Sequence, residues 1–180
     1  MRSFRLFCFV TLSVLFTFLP AYAAQVHLAV APDGDALAIA DFYGQSLSVV
    51  DASGQHIVVS GTLTGGIMAN WSPDGHYVGF KWVNEIDGVR YQAPVLLDVD
   101  NREVIWLHRP VALCGNPFFT ETDTVFCTMG SELHEYDLNG SFLQSWDLPA
   151  YCNSVSPNPD GSLVAFTGED DVVKLLETAT

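Results

Sequence analysis

Beyond residue 25 apolar and polar positions alternate with period two in short runs, and each run closes on a cluster of Gly, Pro, Asp, Asn or Ser. Such runs are half-buried strands joined by tight turns. The clearest stretch is Asn70–Phe80, NWSPDGHYVGF. Pro73 pre-sets φ at the turn's second position, Asp74 can bond back to its own backbone, and Gly75 takes the positive φ. The device returns as Ala31-Pro32-Asp33-Gly34 and Asn158-Pro159-Asp160-Gly161, followed by the runs Ala36–Ala40 and Leu163–Phe166.

A degenerate copy, Asn116–Phe126, joins the series when Phe126 is matched to Phe80 and Phe166, which sets Phe119 in the proline's register. The markers Pro32, Pro73, Phe119 and Pro159 then lie 41, 46 and 40 residues apart. A second marker, Val49–Gly54, Leu96–Asn101, Glu135–Gly140 and Leu175–Thr180, repeats at 47, 39 and 40 residues. Two turn signals in constant phase over four copies define a repeat, each copy holding two hairpins.

The predicted strands of copy one are Val26–Val30, Ala36–Asp41, Ser46–Asp51 and His56–Ser60, and those of copy two Ile67–Trp71, Tyr77–Val83, Pro94–Asp98 and Glu103–His108. Copy three gives Val111–Cys114, Thr124–Met129, Glu132–Asp137 and Phe142–Leu148; copy four gives Cys152–Val155, Leu163–Gly168 and Val172–Glu177. No amphipathic run has helical length. The expected fold is all-β: β-propeller blades, each a four-stranded antiparallel meander, at about residues 25–61, 66–109, 111–149 and 151–180. A two-sheet sandwich also has closely spaced turns but does not need the same turn in the same phase in every copy. The last copy stops inside its third turn, so the chain is expected to be part of a larger propeller or to close by self-association through the incomplete blade.

Residues Trp71-Ser72-Pro73-Asp74-Gly75 with Val78 and Phe80, echoed at Pro32 and Pro159, resemble the TolB-like propeller repeat, a relative of the WD repeat. The similarity covers about residues 25 to 180. It implies a platform for a ligand or partner, and in some relatives a propeller that precedes a serine-peptidase catalytic domain. Copy three departs from the motif with Thr120-Glu121 where Asp-Gly stands elsewhere, and no separate domain lies between the leader and the first blade.

Residues 1–23 form a predicted signal peptide: basic Arg2 and Arg5, an apolar stretch Leu6–Leu19, then Pro20 and the small-x-small triplet Ala21-Tyr22-Ala23. The apolar stretch has 14 residues, short of the roughly 20 that span a bilayer. The mature protein is expected to be periplasmic or secreted, with no membrane span after cleavage. Net charge is −14, and the mature part carries 5 basic against 21 acidic residues. Such a field repels phosphate, and Lys81, Arg90, Arg102, Arg109 and Lys174 form no basic stripe, so nucleic acid is excluded as a partner.

Catalytic patterns are missing from the sequence. It contains no G-x-S-x-G, no H-E-x-x-H and no C-x-x-C, and His27, His56, His76, His108 and His134 are far apart along the chain. Asp98-Val99-Asp100-Asn101 begins like a calcium loop but lacks the glycine and distal glutamate, and its phase marks it as a turn. Neither metal, cofactor nor catalytic residue is predicted. Cys114, Cys127 and Cys152 leave an odd mature count. Pairing the third hairpin like its relatives sets Cys114 opposite residue 125 and makes Cys127 its diagonal neighbour, a bridge worth about 3 kcal/mol. A Cys114–Cys152 bridge and buried free thiols are the alternatives.

These observations point to an exported, non-catalytic propeller that binds a protein or a small ligand. The alternative is the N-terminal part of a secreted hydrolase whose catalytic domain lies outside this chain. The predicted binding face carries the B–C and D–A loops, with the long loop Val83–Gln92 and the anchors Phe42, Tyr43, Trp82, Tyr91, Arg109 and Tyr151.

Overall fold

The computed structural model describes residues 26–41, 46–60, 68–152, 154–168 and 172–178. The predicted leader lies outside them. Blade 1 is the meander β1 (Val26–Val30), β2 (Ala36–Asp41), β3 (Ser46–Asp51) and β4 (His56–Ser60). Blade 2 follows with β5 (Asn70–Trp71), β6 (Tyr77–Ile86), β7 (Val89–Asp98) and β8 (Glu103–Trp106). Blade 3 has β9 (Phe118–Phe119), β10 (Thr124–Met129), β11 (Glu132–Asp137) and β12 (Phe142–Asp147). Blade 4 has β13 (Ser154–Pro157), β14 (Leu163–Thr167) and β15 (Val173–Glu177), three strands among the described residues. Every pairing is antiparallel and between consecutive strands. The chain is an all-β protein with its blades arranged as in a β-propeller, as the repeat predicts.

The first turn of the repeat forms alike in blades 1, 2 and 4. Gly34, Gly75 and Gly161 have φ near +80° and donate their N–H to the carbonyls of Ala31, Ser72 and Asn158 at 2.9, 3.0 and 3.0 Å. The Asp carboxylate between accepts the N–H two residues on, Asp33 from Asp35, Asp74 from His76 and Asp160 from Ser162. The second turn is equally regular: Asp51 and Asp137 accept from Ser53 and Gln55, and from Asn139 and Ser141. In blade 2, Asp98 takes both the backbone and side-chain amides of Asn101. The calcium-loop-like segment is therefore a closed turn.

Blades meet through apolar faces. Strand register gives each blade a front face toward the preceding blade and a back face toward the next. The back face of blade 1, Ala38, Ala40, Leu47 and Val49, packs on the front face of blade 2, Val78, Phe80, Val95 and Leu97. Blade 2 offers Leu96 to Val125, Cys127 and Tyr136 of blade 3, and blade 3 offers Phe126 and Leu133 to Val155, Val164 and Phe166 of blade 4. Polar stitches join the innermost strands: the Trp71 indole N–H donates to the Ala29 carbonyl at 2.8 Å and the Asn70 amide to the Pro117 carbonyl at 3.2 Å.

Blade 3 departs from the sequence expectation. Its innermost strand is Phe118–Phe119, not Val111–Cys114. The segment before it forms no continuous ladder: it reaches the sheets through isolated bridges, Val111 to Gln92 and Cys114 to Met129, and single hydrogen bonds such as that of the Gly115 N–H to the Thr128 carbonyl, and Pro117 has no N–H to continue a ladder. Phe119 pairs with Val125 where Trp71 pairs with Val78, so Phe119 occupies the tryptophan's place and not the proline's. The turn is one residue shorter, built on Thr120, whose hydroxyl accepts the N–H groups of Thr122 and Thr124. Asp123 takes the left-handed conformation (φ 58°) that Gly75 takes in blade 2. Slippage by one residue exchanges faces. Phe126, matched by sequence to Phe80, therefore points to blade 4, and Cys127 holds the position of Phe80.

Candidate protein-binding surface

The predicted loop Val83–Gln92 does not exist as a loop. Strands β6 and β7 run on through it in unbroken register from Tyr77↔Asp98 to Ile86↔Val89. Only Asp87 and Gly88 turn, both at positive φ (53° and 75°). That is the type I′ hairpin that a strand's right-handed twist favours, and Asp-Gly is its sequence signal. The result is a two-stranded hairpin rising from the core of blade 2.

Alternation sorts this hairpin into two faces. One continues the front face upward: Phe80 and Val95 are fully buried, Trp82 and Tyr91 half-buried, and Ile86 and Val89 at the tip are 52% and 50% exposed. Trp106 of β8, paired with Val95, stands edge-on to Trp82 with ring centroids 5.3 Å apart. An apolar stripe thus begins in the core and ends in solvent, flanked at the tip by Glu85, Asp87 and Arg90. Its buried end fixes its exposed end, the arrangement an interface anchor needs.

The other face looks toward blade 3 and sets polar groups beside the buried Val83 and Leu96. Lys81 is buried, and its ammonium donates to the Cys114 carbonyl at 3.4 Å. Burial pulls its pKa down, while Cys114 acts in the opposite sense. Burial pushes the Cys114 thiol up to about 12 against the pull of Lys81, and Cys127 is raised by burial and then by Cys114. The Gln92 Oε1 and Asn116 Oδ1 atoms are buried without a hydrogen-bond partner. Cys114 stands opposite Met129, so Cys127 is its diagonal neighbour across β10. The expected Cys114–Cys127 bridge is nevertheless not formed, and Cys114, Cys127 and Cys152 are free, buried thiols.

Of the predicted anchors, Phe42 and Tyr43 lie outside the described residues. Trp82 and Tyr91 come together on the hairpin's apolar face. Arg109 is exposed on the connection from blade 2 to blade 3, where the His108 Nδ1–H donates to its carbonyl at 2.8 Å. Tyr151 is half-buried between β12 and β13, its phenol raised by burial and then by Cys114 and Cys152. Ile86, Val89 and Trp106 were not predicted. The Asp-Gly pair between alternating runs was the signal that could have found the first two.

Two histidines far apart in sequence meet at the blade 2–3 junction. His108 and His134 have ring centroids 6.1 Å apart, and His134 bonds Glu132 at 2.7 Å and the Tyr136 hydroxyl at 3.0 Å. At the opposite end, an open groove of about 300 Å³ is lined by Asp74, His76, Asp98, Asp100 and Asp123, with His76 Nδ1 2.7 Å from the Asp100 carboxylate. Among the described residues, no group of three His, Cys, Asp or Glu side chains could hold a metal ion. No helix among them is long and apolar enough to cross a membrane.

No family model matches the chain, and no curated protein matches it in sequence. Solved structures do match. BamB from Moraxella catarrhalis is similar at a TM-score of 0.57 and 15% identity, over 83% of this chain and 42% of that one. Hydrazine synthase of Kuenenia stuttgartiensis is similar at 0.58 and 15% identity, over 94% and 49%. The β-propeller domain of Myceliophteria thermophila Cps50 (Swd1) is similar at 0.61 and 15% identity, over 87% and 52%. The chain spans about half the length of these structures. At this identity the likeness carries the β-propeller fold alone, without singling out the TolB-like family, and one of the three is by name an enzyme.

Proposed function

We propose that this chain is an exported, non-catalytic propeller that binds another protein through the β6–β7 hairpin. The observation that carries the reading is the stripe Phe80/Val95–Trp82–Tyr91–Ile86/Val89, rooted in the core and exposed at its tip, with the exposed Trp106 edge-on to Trp82. Two solvent-facing aliphatic side chains on a two-stranded hairpin lose little entropy on docking. The protein around them is acidic, so the partner that fits presents an apolar cleft with a neutral or basic rim. Export rests on the leader at residues 1–23. No cofactor enters this reading.

A photo-crosslinking residue in place of Ile86 or Val89, introduced into the full chain in its native host, should trap one discrete partner. The same residue in place of Glu121, exposed in the first turn of blade 3, should trap none. Aspartate at Ile86 and Val89 should abolish capture with the melting temperature unchanged. Equal trapping at all three sites, or capture that survives both aspartates, would overturn the assignment. Alanine at Trp82 should lower both capture and stability, since its ring packs partly on the core.

A further inference from the structure

Each junction between blades uses the same pair of faces, and among the described residues one face of each kind is left over. Buried front-face residues are Val78, Phe80 and Leu97 in blade 2, Val125, Cys127 and Tyr136 in blade 3, and Val164 and Phe166 in blade 4. Register assigns Leu37, Ile39 and Val50 to these positions in blade 1, since Leu37 pairs with Val50 as Val78 pairs with Leu97. Among the described residues no blade covers them. They line an open groove of about 460 Å³ together with Val30, itself 65% exposed.

The back face of blade 4 is the mirror of this case. Ala165, Val173 and Leu175 stand where blade 1 has Ala38, Leu47 and Val49. In blade 1 those three are buried against blade 2. In blade 4 Leu175 is 64% exposed, and Val173 is equally open. A shallow groove of about 140 Å³ runs over this flank beside Ala165 and Val173. The described residues therefore carry an unpaired socket at one end and an unpaired plug at the other, both apolar and both of a kind the chain already joins internally.

We propose that two copies of this chain assemble head to tail, the front face of blade 1 in each packing on the back face of blade 4 in the other. A second copy is the occupant because it supplies both missing faces at once. A heterologous contact made twice about a two-fold axis closes into a ring and leaves no apolar flank in water. This inference rests on the blade faces and is independent of the hairpin reading, whose residues lie on neither flank.

The test is the mass of the purified full chain by sedimentation equilibrium at micromolar concentration, with Ile39→Asp on the front face and Leu175→Asp on the back. The unsubstituted chain should weigh two copies. Each variant alone should weaken association by at least about 30-fold, the cost of burying an unpaired charge, while strand content by circular dichroism stays unchanged because Leu175 is exposed and Ile39 is only half-buried, beside an open groove. Mixing the two variants should restore a dimer in part, since the back face of one and the front face of the other are intact. A monodisperse monomer at about 100 μM, well above the range of a stable interface, would overturn the proposal. Association that survives Leu175→Asp would mean front-to-front pairing, and a monomer that assembles only with a different polypeptide would mean another occupant; either result also overturns it. Hairpin capture can fail with the dimer intact, so the two readings fail separately.

Discussion

Blades 2 and 3 have the same strand order, yet they fill the space behind them in opposite ways. Behind blade 2 the back-face position next to the first turn is Gly79. The Phe119 ring and Pro117 of blade 3 press into the gap so closely that a methyl group there would lie 3.0 Å from both. Behind blade 3 the corresponding position is Phe126, which itself fills the gap and packs against the turn of blade 4, where a side chain on Gly161 would come within 3.1 Å of its ring. One junction is filled from the later blade and the other from the earlier. A propeller junction thus needs a given volume and not a given residue, since close packing is satisfied by large against small in either order.

The largest effects should come from emptying these junctions. Phe80→Ala and Phe126→Ala should each cost about 3–5 kcal/mol in urea unfolding, while Cys127→Ala, at the position equivalent to Phe80, should cost about 1 kcal/mol. If Phe126→Ala were as mild as Cys127→Ala, the face assignment of blade 3 would be wrong. Overfilling comes next. Gly79→Val should cost about 1–3 kcal/mol, and Phe119→Ala in the same chain should return part of that loss, a coupling absent between Gly79→Val and Phe126→Ala.

The shorter turn of blade 3 offers a gain. Asp123 holds a left-handed conformation with φ 58°, so Asp123→Gly should raise stability by about 0.5–1 kcal/mol, read as a higher melting temperature. Glycine at Asp87, where the type I′ hairpin also demands positive φ, provides a second instance.

The smallest effect separates the turns by charge. Burial raises the Asp74 carboxyl, but the Ser72 hydroxyl and the His76 N–H outweigh it and hold the pKa below the usual value. The stability this group contributes is complete above the unfolded carboxyl's pKa near 4 and is lost as pH falls through the lower folded value. Blade 3 has Thr122 in that place and nothing to titrate. Asp74→Asn should therefore flatten the acid limb of the stability curve, whereas Thr122→Asn should leave its shape unchanged.

The four-copy repeat, the all-β class and most strand boundaries were legible because period-two alternation and Pro-Asp-Gly turns act over a few residues. Hydrogen bonds such as Asp33 to Asp35 and Asp160 to Ser162 close within the turn itself and need nothing distant. Trp82 and Tyr91 were legible as aromatics at the edges of one stretch for the same local reason, but their half-burial was not. The hairpin tip is also written in the sequence, at Asp87-Gly88, but a charged, weakly alternating stretch reads as a loop when its strands are held by cross-strand register.

Other features exist only once blades are stacked. Which way Phe126 points depends on a single residue missing from the preceding turn, and a one-residue slip leaves composition and hydropathy unchanged. The meeting of His108 with His134, the burial of Lys81 beside Cys114, and the exposure of Leu175 where Val49 is covered are set by which blade stands next to which. Local sequence determined the blades, because a turn and its two strands satisfy their own backbone. Tertiary structure decided the junctions and the free flanks, because the volume a side chain must fill is defined by residues some 40 positions away.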